Sequence, residues 1–213
     1  MYLPEQFEET RPEELRRIMT AYPFGTLVTH GPSGLDANHL PFVLDPAIGE
    51  HGELRAHVAR ANPVWREIQD GDEVLVVFDG ADAYISPNWF PSKHEFHRQV
   101  PTWNYRTVHV RGTARVHDDA RFVRGVVARL SRTHEARAEP SRPWKMSDSP
   151  KDFIDGMLEL VVGIQIDITS IAGKWKLSQN KEERDRMGAV EALRERGAHA
   201  MADATQATLG DQG

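Results

Sequence analysis

The sequence predicts an α+β barrel of six or seven short, mostly antiparallel strands with helices at its periphery, and three observations lead there. From Thr107 to His117, Val108, Val110, Gly112, Ala114 and Val116 alternate strictly with polar residues, the period of a strand with one apolar face. Turn signals such as Gly31-Pro32-Ser33-Gly34 and Gly49-Glu50-His51-Gly52 separate the early segments at hairpin spacing. Only one short helix interrupts the first five strands, whereas a doubly wound sheet needs a helix between most of its strands.

The elements follow in order. Thr10 and Glu13 have the spacing of a capping box, Leu15, Ile18, Met19 and Tyr22 fall at helical intervals, and Pro23 stops that first helix. Strands are expected from Phe24 to His30, from Leu35 to Leu44 and from Glu53 to Val58. Asn62-Pro63 reads as a helix start, with Asn as cap and Pro in the first turn, and Gly71 keeps that helix short. Val74 to Phe78 reads as a strand covered on both faces, with Ala83 to Ser86 returning beside it. After the long strand come two amphipathic helices, marked by Phe122, Val123, Val126, Val127 and Leu130 and then by Phe153, Ile154, Met157 and Leu158. Val162, Ile164, Ile166 and Ile168 alternate in a further strand, and Lys174 to Ser178 continue the sheet after a break at Gly173. Asn180 is expected to cap a last, highly charged helix ending near Gly197. Residues 1–197 are read as a single domain, and 198–213, small and polar, as a disordered tail.

Composition narrows the chemistry. With no cysteine in 213 residues, thiol catalysis, Cys-ligated zinc and iron–sulfur clusters are excluded. No apolar run approaches the ~20 residues of a membrane span, and the first residues do not read as a signal peptide. A cytoplasmic protein with no membrane contact is expected. A net charge of −6 gives no global pull toward nucleic acid, so DNA binding would need a local basic patch. Despite ten histidines no metal site is expected, since HExxH is absent and the His94–His97 pair lies in a charged loop. The Rossmann, P-loop and G-x-S-x-G patterns are absent too.

Three segments place polar groups and aromatics together. His57-Val58-Ala59-Arg60-Ala61-Asn62 runs from a strand end into a helix start, where backbone N–H groups and Arg60 would suit a phosphate; equally, Asn62 only caps the helix and Arg60 lies in solvent. The stretch Tyr84 to Lys93, followed by Val100-Pro101-Thr102-Trp103-Asn104-Tyr105, sets rigid aromatics on a loop, as a stacking platform, a dimer interface or core. Gly173 to Asn180 offers Lys174, Trp175, Lys176, Ser178 and Gln179 in one short strand, either as ligand groups or as edge lysines that discourage strand pairing. No residue stands out as acid, base or nucleophile.

Taken in order, Phe24-Gly25-Thr26-Leu27-Val28-Thr29-His30, Asn38-His39-Leu40-Pro41-Phe42, His57 to Pro63, Tyr84-Ile85-Ser86-Pro87, Val100 to Tyr105 and Gly173 to Asn180 resemble the PaiB family of FMN-binding negative transcriptional regulators. The resemblance runs from residue 1 to about 197 and implies a split β-barrel related to the pyridoxamine-phosphate-oxidase-like flavoproteins. It further implies a homodimer with FMN in the groove between subunits. By position, His57, Arg60, Ala61 and Asn62 would hold the phosphate, Lys176, Ser178 and Gln179 would approach the flavin, and Trp103 and Tyr105 would line the groove. The family label also implies repression of genes for protease production and sporulation. The basic candidates for DNA are the stretch from Arg121 to Arg142 and the charged helix after Asn180, although neither forms a helix-turn-helix. An FMN-dependent oxidoreductase acting on a small planar substrate is the alternative function.

Overall fold

A computed structural model describes residues 1–210. In chain order the strands are β1 (Glu8–Glu9), β2 (Phe24–Gly31), β3 (Gly34–Pro41), β4 (Val43–Asp45), β5 (Glu53–Ala59), β6 (Glu73–Ile85), β7 (Thr102–His117) and β8 (Val161–Lys176). The helices are α1 (Pro12–Ala21), α2 (Val64–Glu67), α3 (Pro91–Phe96), α4 (Ala120–Ala138), α5 (Lys151–Glu159), α6 (Glu183–Glu195) and α7 (His199–Ala207). The strands pair in the order β3-β2-β6-β7-β8-β5-β4, with β1 added alongside β8. Every registered pair is antiparallel. Among the described residues no ladder joins β3 to β4, so the sheet stays open. No helix is long and apolar enough to cross a membrane among the same residues.

The chain forms two compact units, each discontinuous in sequence. One comprises 1–18, 79–108 and 172–213; the other comprises 19–78 and 109–171. In the second unit, Leu27, Leu54, Ala56, Val76, Val110, Ala114, Ile164 and Ile166 are wholly buried. These are the inward positions of alternating strands, so the period of two seen in the sequence is the burial period. Val126 and Leu130 of α4 pack on Val43, while Ile154 and Leu158 of α5 pack on Val123. In the first unit α6 and α7 bury Ala189, Leu193, Met201 and Ala202.

Several expectations need correction. β6 is one strand of 13 residues, not a strand with a returning partner. Within it Gly80 lets the backbone pass close, since a Cβ there would sit 3.2 Å from Arg106 O. β8 likewise runs unbroken through Gly173, where a Cβ would collide with Leu15 and lie 2.9 Å from Trp175. The stretch around His94, read as loop, contains α3, closed by His97 in the left-handed region at φ 53°. α6 begins at Glu183 rather than at an Asn180 cap, and it is not the last helix. The expected tail holds α7, whose Met201, Ala202 and Thr205 are buried. Its alanines have the highest helix propensity and are small enough to seat one helix closely on another. The final residues of that expected tail, 211–213, lie outside the described residues.

Candidate functional site

The anticipated site residues fall into two groups, one in each unit. His57, Arg60, Ala61 and Asn62 lie at the end of β5, in the unit formed by 19–78 and 109–171. Trp103 and Tyr105 on β7, Lys176 at the end of β8, and Ser178 and Gln179 just after it lie in the other.

At the end of β5 the guanidinium of Arg60 is already engaged. It donates to both oxygens of Asp118, at 2.9 and 2.5 Å, and its Nε donates to Glu159 O at 2.6 Å. The ring of Trp65 lies 5.9 Å from its Cζ, and Trp65 Nε1 donates to Arg60 O at 3.0 Å. Paired with Asp118, Arg60 is raised further above an already high pKa, and the Asp118 carboxyl is lowered by the same hydrogen bond. Asn62 Oδ1 accepts from Val64 N–H at 2.9 Å, as a cap would, while its Nδ2 donates to Asn38 Oδ1 at 2.7 Å. Ala61 is exposed. His57 pairs with Gly163 across the ladder, and its buried Nδ1 has no hydrogen-bond partner among the described residues. Burial lowers its pKa and holds the ring neutral. An orphaned ring nitrogen of this kind is a group waiting for a donor or acceptor.

The second group presents charge without counter-charge. Lys176 Nζ donates to Thr102 Oγ1 and, at 2.7 Å, to Trp103 O. Lys174 Nζ donates to Tyr2 O at 2.9 Å, and Lys181 Nζ to Gln99 Oε1 at 2.7 Å. Every one of these acceptors is neutral, and no carboxylate pairs with any of the three lysines among the described residues. Burial, then the charges of Lys174 and Lys181, push the Lys176 pKa down. The Trp103 ring is 54% exposed and meets Tyr84 edge-on at 5.9 Å. Tyr105 lies under Lys174, 5.6 Å from its Nζ to the ring centre.

Ser178 and Gln179 shape the turn after β8. Ser178 takes φ 65°, a left-handed conformation that costs a non-glycine residue, and its buried Oγ donates to Asn104 Oδ1 at 3.0 Å. Gln179 closes the turn on itself: Oε1 accepts from Leu177 N–H at 2.7 Å and Nε2 donates to Trp175 O at 2.5 Å. Sequence reasoning did not find Lys181, Thr102 or Asp118 as members of these groups. Thr102 lies inside a quoted motif and Lys181 adjoins one, but Asp118 follows a different strand and carries no local signal.

The residues present fit an anionic, planar cofactor. The lysines supply cationic donors with no acid to neutralise them, and Trp103 and Tyr84 offer aromatic surface.

Comparison with known proteins agrees. The family model described as "Putative FMN-binding domain" matches residues 1–170. The protease synthase and sporulation protein PAI 2 of Bacillus subtilis is 34% identical over 193 residues, 91% of this chain and 89% of that protein. Among solved structures, the FAD and heme binding protein of Mycobacterium smegmatis superposes with a TM-score of 0.54 at 17% identity, covering 79% of this chain and 73% of that one. A flavocytochrome of Azotobacter vinelandii superposes with a TM-score of 0.56 at 13% identity, over 84% and 74% of the two chains. At such identities these likenesses establish the fold, an α+β split barrel whose sheet is not closed.

Proposed function

This chain belongs to the PaiB family of FMN-binding domains, and from that premise we propose that it is an FMN-binding negative regulator of transcription. Its cofactor is FMN, which supplies a redox-active planar ring and a phosphate. The observation that carries the reading is the group of Lys174, Lys176 and Lys181, three ammonium groups bonded only to neutral oxygens, with Lys176 bonded to the backbone of the exposed Trp103. A half-buried ammonium without a counter-ion loses part of its hydration, so an anion that reaches Lys176 gains a charge-assisted bond and relieves that cost. Lys176 would meet the ring or ribityl chain. His57, Arg60, Ala61 and Asn62 form the proposed phosphate turn, with Ser178, Gln179 and Tyr105 supporting the ring side. The regulatory half draws on the relative at 34% identity, which carries sporulation in its name.

Titration of FMN and of riboflavin separates the roles, because riboflavin lacks the phosphate. Arg60→Ala should weaken FMN about tenfold or more and leave riboflavin nearly unchanged, while Lys176→Ala should weaken both alike. FMN affinity unchanged in Arg60→Ala would reduce Arg60 to a clamp between the β5 end and α5. Regulation is tested by gel shift at several salt concentrations. On α4, Arg124, Arg129 and Arg137 are engaged with Asp155, with Asp45 and Leu44 O, and with Thr20 O. Few cations of that helix are left for phosphates, so the slope of log K against log salt should be shallow, roughly −3 or less per protomer. Binding that ignores salt altogether would contradict DNA contact.

We further infer a cytoplasmic homodimer, supported by the aromatic and apolar side chains left exposed in one unit: Tyr84, Phe96, Val100 and Trp103. Such a set is more than a monomer surface ordinarily leaves uncovered in one short stretch.

A further inference from the structure

α4 and the segment that follows it flank an open hollow of about 430 Å³ that has no part in the flavin reading. One wall is a face of α4, where Ala128, Ser131, Arg132 and Ala136 recur at helical spacing. The other is Pro143 to Ser147, the extended stretch leading to the short 3-10 helix Met146–Asp148. This hollow lies wholly in the unit formed by 19–78 and 109–171, and it shares no lining residue with the one beside Arg60.

Its walls are fixed in advance. Trp144 N–H donates to the Glu135 carboxylate of α4 at 3.0 Å, which ties the facing segment to α4, and Lys145 N–H donates to Asp148 Oδ2 at 3.0 Å, which caps the short helix that follows. The lining joins an indole, a proline and a thioether to two hydroxyls and two cations, with no carboxylate among them. Arg132, like Arg121, differs from the other arginines of α4. Arg124, Arg129 and Arg137 each have protein partners, whereas Arg132 forms no hydrogen bond or ion pair among the described residues. Trp144 is 39% exposed, which leaves part of its ring accessible to a ligand. A volume in the small-ligand range, an aromatic wall and a net charge of +2 on the lining select a flat ring bearing an acid group. Duplex DNA does not fit a concave site bounded by one short segment, because it needs cations spread along a surface.

We propose that this hollow is a second small-molecule site, specific for a planar aromatic carboxylate, with Arg132 and Lys145 taking the carboxylate and Trp144 taking the ring. The probes are 2-naphthoate and its neutral counterpart 2-naphthamide, titrated calorimetrically into the full chain with and without saturating FMN. One equivalent of 2-naphthoate should bind in both cases, and the amide should bind at least tenfold more weakly. Arg132→Gln should weaken 2-naphthoate about tenfold and Trp144→Leu by a similar factor, with FMN affinity unchanged in both variants. Those unchanged affinities report a folded protein and keep this site distinct from the flavin residues. Four results would overturn the proposal: no heat with 2-naphthoate, equal binding of the amide, an unaltered affinity in Arg132→Gln, or displacement of 2-naphthoate by FMN.

Discussion

Lys176 and Ser178 sit two residues apart and each bears a cost that the protein alone does not recover. Lys176 has a folded-state pKa below the ordinary 10.5, because burial and the charges of Lys174 and Lys181 disfavour its proton. The unfolded chain therefore holds that proton more tightly, and stability rises with pH between the lowered value and 10.5. Relative to Lys176→Met, the parent should lose ground at neutral pH and gain it as pH climbs toward 10.5, read from paired melting curves without FMN. With FMN bound the ammonium has an anion nearby, so the pH dependence of the parent should flatten. A parent-minus-variant difference independent of pH would contradict this. Ser178 combines a positive φ with a buried hydrogen bond to Asn104. Ser178→Ala keeps the unfavourable backbone and strands a buried acceptor, so it should cost about 1–3 kcal/mol in denaturant unfolding. Ser178→Gly loses the same bond but suits the backbone, and should cost less than the alanine variant. The reverse order would mean that the conformation carries no strain.

Among the elements, α7 and β6 show where local rules gave way to packing. The residues from His199 to Ala207 are small and polar, which by composition alone resembles a frayed end. Once α6 supplies a partner, Met201, Ala202 and Thr205 bury one face, and Arg186 reaches Thr208 O at 2.9 Å to fix the end. Met201 is 1% exposed, so Met201→Ala should lower unfolding stability by roughly 2–4 kcal/mol with the cavity it leaves. A change under half a kcal/mol in chemical denaturation would return α7 to the status of a loose tail. β6 makes the converse point: Asp79-Gly80-Ala81-Asp82 has turn composition, yet it stays extended, with Asp79 accepting from Thr107 Oγ1 at 2.9 Å.

For the whole molecule, ligand and partner are the terms that the isolated chain leaves open. FMN that binds only the native state adds RT ln(1 + [L]/Kd), about 2.7 kcal/mol at a hundredfold excess, and should raise the melting temperature by roughly 5–10 °C. A melt unmoved by saturating FMN would contradict the family's cofactor in this chain. The homodimer should appear in light scattering as twice the 24.1 kDa chain mass. Replacing Trp103 and Val100 with Ser and Lys should shift it toward the monomer, since both are exposed in the single chain. A monomer mass across a wide concentration range would refute the association.

The sequence by itself determined the strands β2 and β5, β7 from Thr107 onward, the helices α1, α4 and α5, and the family, because periodicity and short motifs are local properties of the chain; Thr102 to Arg106, read as loop, proved to be the start of β7. It also named Arg60, Lys176 and Ser178, since each stands inside a motif. Only the tertiary structure decided what those residues meet. Asp118 lies 58 positions from Arg60, Thr102 lies 74 from Lys176, and Asn104 lies 74 from Ser178. The same holds for the unbroken β6 and β8, whose conformations depend on neighbours that no sequence window contains, while α7 depends on packing against α6 just before it. Local pattern fixes which face of an element is apolar; which charge is paired and which is left for a ligand is fixed by long-range contacts, because electrostatic pairing acts through space and not along the chain.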